Sequence, residues 1–371
     1  MRSRIAAWVV DQIVDRGLLG DVALRRVMRR MLRRRHRSIT GGGAEQRMAR
    51  KRALIARLRE SDVAIDTDAA NEQHYEVPTE LFERMLGPRL KYSCALWDEG
   101  TDDLAAAEDA MLELTCQRAE LADGLDVLEL GCGWGSLTLW MAERFPRSRI
   151  TAVSNSSTQR AFIVERAREL GLDNVTVVTC DVNDLGRDDD RLASLGGVPV
   201  VGPERFDRVV SVEMFEHVRN HTELTSRIAT WLRPGGKLFV HVFAHRSDPY
   251  PFEAGGSGDW MARHFFAGGL MPSDDLLLHT VTDLSVEDHW VVSGRHYART
   301  LRAWLDRLDA QRGPVTEVLA GTYGSAEARA WFNRWRVFDL ACEELFAFDR
   351  GDTWHVSHYR FVRSDRRNHT T

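Results

Sequence analysis

Apolar positions follow two rhythms along this chain. From residue 4 to 35 they recur every three or four positions: Ile5, Trp8, Val9, Ile13 and Val14 form one stripe, and Val22, Leu24, Val27, Met28, Met31 and Leu32 form another. That spacing predicts two amphipathic helices. The stretch Ser38-Ile39-Thr40-Gly41-Gly42-Gly43 breaks the pattern, and residues 44–61 resume it with Leu54, Ile55 and Leu58. Between 125 and 245 the rhythm alternates. Strands are predicted at 126–130, 149–154, 175–179, 206–212 and 237–243, with helices at 136–144, 157–170 and 219–232. Arg233-Pro234-Gly235-Gly236 reads as a turn before the fifth strand. Such βα alternation predicts a parallel sheet covered on both faces. Residues Leu185 to Glu204, with the acidic run Asp188-Asp189-Asp190, read as a surface loop.

Beyond residue 245 the regularity fails. A Pro- and Gly-bearing loop leads to an aromatic stretch from Trp260 to Phe266. A strand at 286–293, helices at about 297–312 and 325–348, and a last strand from Trp354 to Val362 follow. Two late strands separated by helices fit the antiparallel end of a mixed sheet, with the helices as a cover over the substrate. Residues 1–120 read as an N-terminal helical region, to which the family resemblance given below adds the role of an active-site lid. Residues 121–371 read as the core, with a substrate-cover insertion at about 245–350.

The segment Val127-Leu128-Glu129-Leu130-Gly131-Cys132-Gly133-Trp134-Gly135 carries the first chemical signal. An apolar strand ends beside an acid and enters three alternate glycines just before a helix. Glycine lets the backbone turn tightly and approach a ligand, and a helix start offers free N–H groups to an anionic group. The G-x-G-x-G spacing differs from the G-x-G-x-x-G of dinucleotide folds. With Glu129 two residues ahead, it resembles motif I of class I S-adenosylmethionine methyltransferases. A cofactor at the carboxyl ends of the strands would meet Glu129, Gly131 and Gly133 from strand one. It would meet Ser154, Asn155 and Gln159 from strand two, and Asp181 from strand three. Asp181 is equally suited to accept a hydrogen bond from an adenine amino group or to cap a helix.

Composition narrows the field. The 371 residues are 43% hydrophobic and 28% charged with a net charge of −5, so no global nucleic-acid footprint exists. The charge is unevenly placed: residues 21–37 hold eight arginines against the single acid Asp21. The Arg25–Arg37 helix has two readings, a peripheral contact with anionic lipid or a solvated face packed on its own domain. Five scattered cysteines without a C-x-x-C pair argue against a disulfide framework or a zinc site, and no metal is expected. No apolar run reaches the roughly 18–20 residues of a membrane span, so a cytoplasmic setting, peripheral at most to a membrane, is expected. Oligomeric state is open.

Several further stretches carry a family likeness. Tyr92-Ser93-Cys94-Ala95-Leu96-Trp97, Gly131-Cys132-Gly133-Trp134-Gly135, Phe215-Glu216-His217 and Gly268-Gly269-Leu270-Met271-Pro272-Ser273 resemble the cyclopropane-fatty-acid synthase superfamily. Asn71 to Thr79, Ser211 to His217, Asp288-His289-Trp290 and His296-Tyr297-Ala298 look closer to its coclaurine N-methyltransferase-like branch. The likeness runs from about residue 60 to the C-terminus. It implies a class I methyltransferase: a Rossmann-like α/β fold with a seven-stranded, mostly parallel sheet. It also implies N-terminal helices and a helical substrate cover before the last strand. S-adenosylmethionine would be the methyl donor, under a lid carrying Tyr92 and Ser93, with strand-two contacts from Ser154 and Gln159.

The same resemblance implies methylation of the nitrogen of a small amine. Glu216 and His217 match the family's catalytic pair. Glu76, with Tyr75, matches an active-site contact from the lid, and Glu213 joins them after strand four. The aromatic residues Trp260, Phe265, Phe266 and Trp290 are expected to wall the substrate. The alternative within the superfamily is carbon methylation of a phospholipid acyl chain. The synthases hold a bicarbonate for that reaction, on ligands matching Cys94, Glu216, His241 and Tyr297. Their H-T-I-G pattern becomes His241-Val242-Phe243-Ala244 here, with Phe243 crowding the anion, which favours the amine reading. His241, His289 and His296 are equally compatible with buried, hydrogen-bonded structural roles.

Overall fold

In a computed structural model the described residues are 2–65, 77–186, 200–252 and 260–364. Two lid residues singled out above, Tyr75 and Glu76, lie outside them, as does the acidic run at 188–190. The first three helices are α1 (Arg2–Asp15), α2 (Asp21–Thr40) and α3 (Ala44–Arg59), followed by α4 (Thr79–Met85) and α5 (Leu104–Arg118). Seven strands then form one sheet: β1 (Asp126–Leu130), β2 (Arg149–Ser154), β3 (Val175–Thr179), β4 (Phe206–Val212), β5 (Leu232–His245), β6 (Ser285–Val292) and β7 (Trp354–Val362). Their spatial order is β3-β2-β1-β4-β5-β7-β6. The first five are parallel, and β7 inserts antiparallel between β5 and β6. This is the mostly parallel seven-stranded sheet of a class I methyltransferase. The order reverses at β1, so the crevice beyond the carboxyl ends of β1 and β4 is where a ligand belongs.

Helices α6 (Ser136–Arg144), α7 (Ser157–Leu170) and α8 (His221–Trp231) are the crossovers. The alternation of the strands decides which face each residue serves. Val127, Val210 and Phe239 pack with Leu112, Cys116, Leu137 and Trp140 on one face. Leu128, Val209, Leu238 and Val240 pack with Leu224, Ile228 and Trp231 on the other. Polar residues start these helices: Ser156 accepts from the Gln159 N–H and Asn220 from the Glu223 N–H.

Two short helices, α9 (Trp260–His264) and α10 (Leu276–Thr280), precede the cover, which is built from α11 (Gly294–Ala310), α12 (Arg312–Tyr323) and α13 (Ala328–Phe346). On α11 the buried residues Tyr297, Leu301, Trp304, Leu305 and Leu308 follow a helical stripe. The sequence reading has no counterpart of α12. Gly313, Pro314 and Gly321 disguise it, yet Pro314 sits in the first turn, where its missing N–H costs nothing. The expected turn at 233–236 is instead a bulge inside β5. Pairing with β4 jumps from Leu232 to Lys237, and Gly235 takes φ 73°.

Candidate active site

A cavity of about 890 Å³ opens at the carboxyl ends of β1 and β4. Four parts of the chain line it. The glycine loop brings Glu129, Gly131, Gly133 and Ser136, and the lid segment brings Lys91, Tyr92 and Ser93. The segment after β4 brings Glu213, Met214 and His217. The cover and the N-terminal helices close it with aromatic and aliphatic side chains.

The glycine loop has the backbone its sequence demands. Gly131 takes φ 78°, and a Cβ there would collide with Met214 at 2.7 Å. Gly133 takes φ 52° and faces open space. Ser136 Oγ, at the start of α6, is buried and without a hydrogen-bond partner among the described residues. An orphaned hydroxyl at a helix N-terminus suits the carboxylate end of S-adenosylmethionine. Glu129 is 2% exposed and accepts the Thr138 hydroxyl at 2.5 Å, and burial pushes its carboxyl up to about 8. Gln159 also lines the cavity. Ser154 stands behind it, with its hydroxyl 2.7 Å from Gln159 Oε1. Asn155 and Asp181 follow β2 and β3 but lie outside the cavity wall, and Asp181 caps its own turn by accepting the Asn183 N–H.

The segment after β4 differs from the expected arrangement. Glu213 and His217 face the cavity, whereas Glu216 is fully buried and is not part of the wall. Glu216 Oε1 accepts the Phe243 N–H at 2.8 Å, and Oε2 has no hydrogen-bond partner among the described residues. His217 stacks on Phe266, 4.6 Å between ring centroids. Glu213 adopts φ 49°, the left-handed region that favours glycine. Three donors hold its carboxylate. The Cys94 N–H reaches Oε1 at 2.9 Å, His241 Nε2 lies 3.2 Å from Oε1, and the Tyr297 hydroxyl donates to Oε2 at 2.5 Å.

Burial pushes both carboxyls up, but not equally. Lys91, the Cys94 N–H and Tyr297 pull Glu213 back. Glu216 has burial and the charge of Glu213 against it, with only the Phe243 N–H and its own N–H in opposition. Of the pair, Glu216 keeps its proton.

The anion ligands implied by the resemblance are thereby accounted for. Cys94, His241 and Tyr297 do converge, but on the chain's own Glu213. The backbone N–H at Phe243 is taken by Oε1 of the fourth candidate, Glu216. The residues present do not fit an additional bicarbonate, because the donors that would hold it are engaged by a carboxylate already.

Two aromatic expectations are corrected. Trp260 and Phe266 line the cavity, but Phe265 is fully buried against Trp335 and Phe338. Trp290 lies on β6, away from the cavity, with the Arg118 and Arg360 guanidiniums over its ring at 4.9 and 5.4 Å. Neighbours along α9 and β6 point different ways, so proximity in sequence does not place a ring in the wall. Phe243, Phe252 and Tyr297 supply the missing aromatic surface. His289 is bonded to Asp274, and His296 accepts the Trp97 N–H, so both hold structure.

The N-terminal helices also contribute to the site: Val10, Ile13, Leu24, Met28, Met31 and Leu32 line the cavity. Their amphipathic stripes were the available signal. Arg25 bridges Glu343 and Glu344 of α13 at 2.6 and 2.7 Å, and Arg29 joins Glu344 at 2.5 Å. Arg35 stacks on Tyr250, 4.4 Å from its centroid. Part of the arginine run therefore ties α2 to its own domain. Arg26, Arg30, Arg33, Arg34 and Arg37 remain exposed. Among the described residues no helix is long and apolar enough to cross a membrane.

Comparison with known proteins shows the family. The family model for mycolic acid cyclopropane synthetase matches residues 64–356. An (S)-coclaurine N-methyltransferase of Thalictrum flavum subsp. glaucum is 35% identical over 352 residues, covering 94% of this chain and 93% of that protein. The cyclopropane-fatty-acyl-phospholipid synthase of Escherichia coli (strain K12) is 32% identical over 238 residues, 64% of this chain and 55% of that one. The crystal structure of a coclaurine N-methyltransferase bound to N-methylheliamine and SAH superposes with a TM-score of 0.87 at 33% identity, covering 95% of this chain and 98% of that one. The chain is an S-adenosylmethionine-dependent methyltransferase and belongs to the mycolic acid cyclopropane synthetase family, with coclaurine N-methyltransferases among its similar relatives.

Proposed function

We propose that the protein moves a methyl group from S-adenosylmethionine to the aliphatic nitrogen of a small amine with an apolar, ring-bearing body, leaving S-adenosylhomocysteine. The observation that carries this reading is the Glu213 carboxylate facing a cavity whose wall includes the aromatic rings of Phe243, Phe252, Trp260, Phe266 and Tyr297. A carboxylate among aromatic rings suits a cation with an apolar body, through charge pairing and cation–π contact. An unsaturated acyl chain brings no positive charge of its own before methyl transfer, so in the bound ground state it offers nothing for that carboxylate to pair with.

Aliphatic amines are mostly protonated near neutral pH, and only the free lone pair attacks. Glu213 attracts the ammonium and aligns it. His217, in the wall beside it, is placed to take the proton, because an imidazole does so readily near neutral pH. Glu216 cannot share that task while it keeps its own proton, and its buried carboxyl supports the turn that carries His217. When bound, the sulfonium donor supplies the electrophilic methyl carbon for in-line displacement. The glycine loop, Ser136 and Glu129 are suited to fix its amino-acid end, with Tyr92 and Ser93 closing over it. The family motif alone assigns Tyr75 and Glu76 a role toward the same substrate.

The test is a panel of secondary and tertiary amines with S-adenosylhomocysteine release as readout, run beside vesicles of unsaturated anionic phospholipid. Methylation on amine nitrogen, abolished in His217→Ala, is expected. A gain of 14 mass units on the acyl chains with no amine product would replace this reading with the lipid one.

A further inference from the structure

His241 and His358 face each other in the sheet interior, both fully buried, on paired positions of β5 and β7. Trp290 on β6 continues the same row. Arg118, from the last turn of α5, lies over Trp290 and places Nη1 2.8 Å from His358 Nδ1. His358 Nε2 lies 2.9 Å from His241 Nδ1, and His241 Nε2 lies 3.2 Å from Glu213 Oε1.

A guanidinium has only donors. The Arg118 N–H therefore donates to His358 Nδ1, which must be bare. The proton of His358 then sits on Nε2 and is donated to His241 Nδ1, which must be bare in turn. The proton of His241 is left on Nε2, aimed at Glu213.

We infer that Arg118 and His358 are positioning residues: the Arg118–His358–His241 relay fixes every proton along its length so that Glu213 meets a donor and stays a carboxylate. His241 is thereby removed from the list of proton acceptors, since its one basic nitrogen is occupied. The groups packed around the relay do not reverse it. Lys91 donates to Ser93 Oγ and to the Cys94 carbonyl, and the Tyr297 hydroxyl donates a hydrogen bond to Glu213 Oε2. Asp288 faces Arg118 and favours its charge, and His289 is bonded to Asp274. Burial and the nearby cations Lys91 and Arg118 keep both relay imidazoles neutral. The relay supplies a charge anchor to the proposed amine site, and its kinetic arm rests on that reading.

The experiment is 15N-histidine NMR on the full-length protein, with the two signals assigned through His241→Gln and His358→Gln. Both imidazoles should be Nε2–H tautomers, unchanged from pH 6 to 9. Arg118→Leu should release the order, giving mixed tautomers. Its amine turnover should fall by roughly tenfold, with cofactor affinity within about twofold, and Arg118→Lys should restore most of both. An Nδ1–H tautomer at either histidine of the unmodified protein, or an unaltered spectrum or turnover in Arg118→Leu, overturns the inference. The spectra need no substrate, so they decide the relay even if no amine is methylated.

Discussion

The Tyr297 hydroxyl donates to Glu213 Oε2 across 2.5 Å, joining the cover helix α11 to the end of β4. Burial and the Glu213 charge hold the phenol far above its usual range, so it remains a donor at every working pH. Removing one donor from a buried carboxylate costs about 1–3 kcal/mol. Tyr297→Phe is expected to lower kcat/KM for the amine by roughly tenfold, with cofactor binding by calorimetry unchanged. Equal losses in both would show that the tyrosine only supports the fold.

Glu213→Gly removes a side chain held at φ 49° and places glycine where it is preferred. The relief of backbone strain is worth roughly 1–3 kcal/mol, so the variant should remain folded in a thermal melt. It leaves the Cys94 N–H, His241 and Tyr297 pointing at an empty space the size of a carboxylate. Amine turnover should collapse and be partly restored by added formate or bicarbonate. Wild-type turnover should not respond to removal of bicarbonate from the buffer.

Glu129 holds its proton up to about pH 8 because burial disfavours the charged form. A cationic amino group bound beside it would favour ionisation. Cofactor affinity is therefore expected to rise with pH and to level off near 8, with proton release on binding. Calorimetry in buffers of different ionisation enthalpy counts that proton, and Glu129→Gln should flatten the profile.

Asp339 on α13 is fully buried, and neither carboxyl oxygen has a hydrogen-bond partner among the described residues. Burial pushes its carboxyl well above the usual range. A raised folded-state value means that the stability contribution is complete below the unfolded value and declines as pH rises toward the folded one. Asp339→Asn keeps the shape without the titration. Its melting temperature relative to wild type should climb between pH 4 and 8, by roughly 2 °C or more. A constant difference across that range would exclude the effect.

The sheet was legible because β1 to β4 each pair an apolar run with a clear boundary, and the limits of β1 to β4, α6 and α7 match the expectation residue for residue. The glycine loop was legible because the left-handed turns at Gly131 and Gly133 tolerate little else. What escaped was directional. Glu213, Glu216 and His217 fall within one short turn, and sequence cannot tell which of them meets the cavity. The Phe243 N–H decides it by drawing Glu216 inward. Trp290 is as aromatic as Trp260, but strand alternation sends it to Arg118. The relay itself spans 240 residues between Arg118 and His358, a separation with no local signature.

Because α1 and α2 wall the cavity and are fastened by ion pairs from Asp11 to Arg263, Asp15 to Arg334, Asp21 to Arg336, and Arg25 and Arg29 to two glutamates of α13, this N-terminal hairpin should set part of the substrate preference. Exchanging the first forty residues between homologous enzymes should retune which acceptors fit while leaving the donor cradle intact.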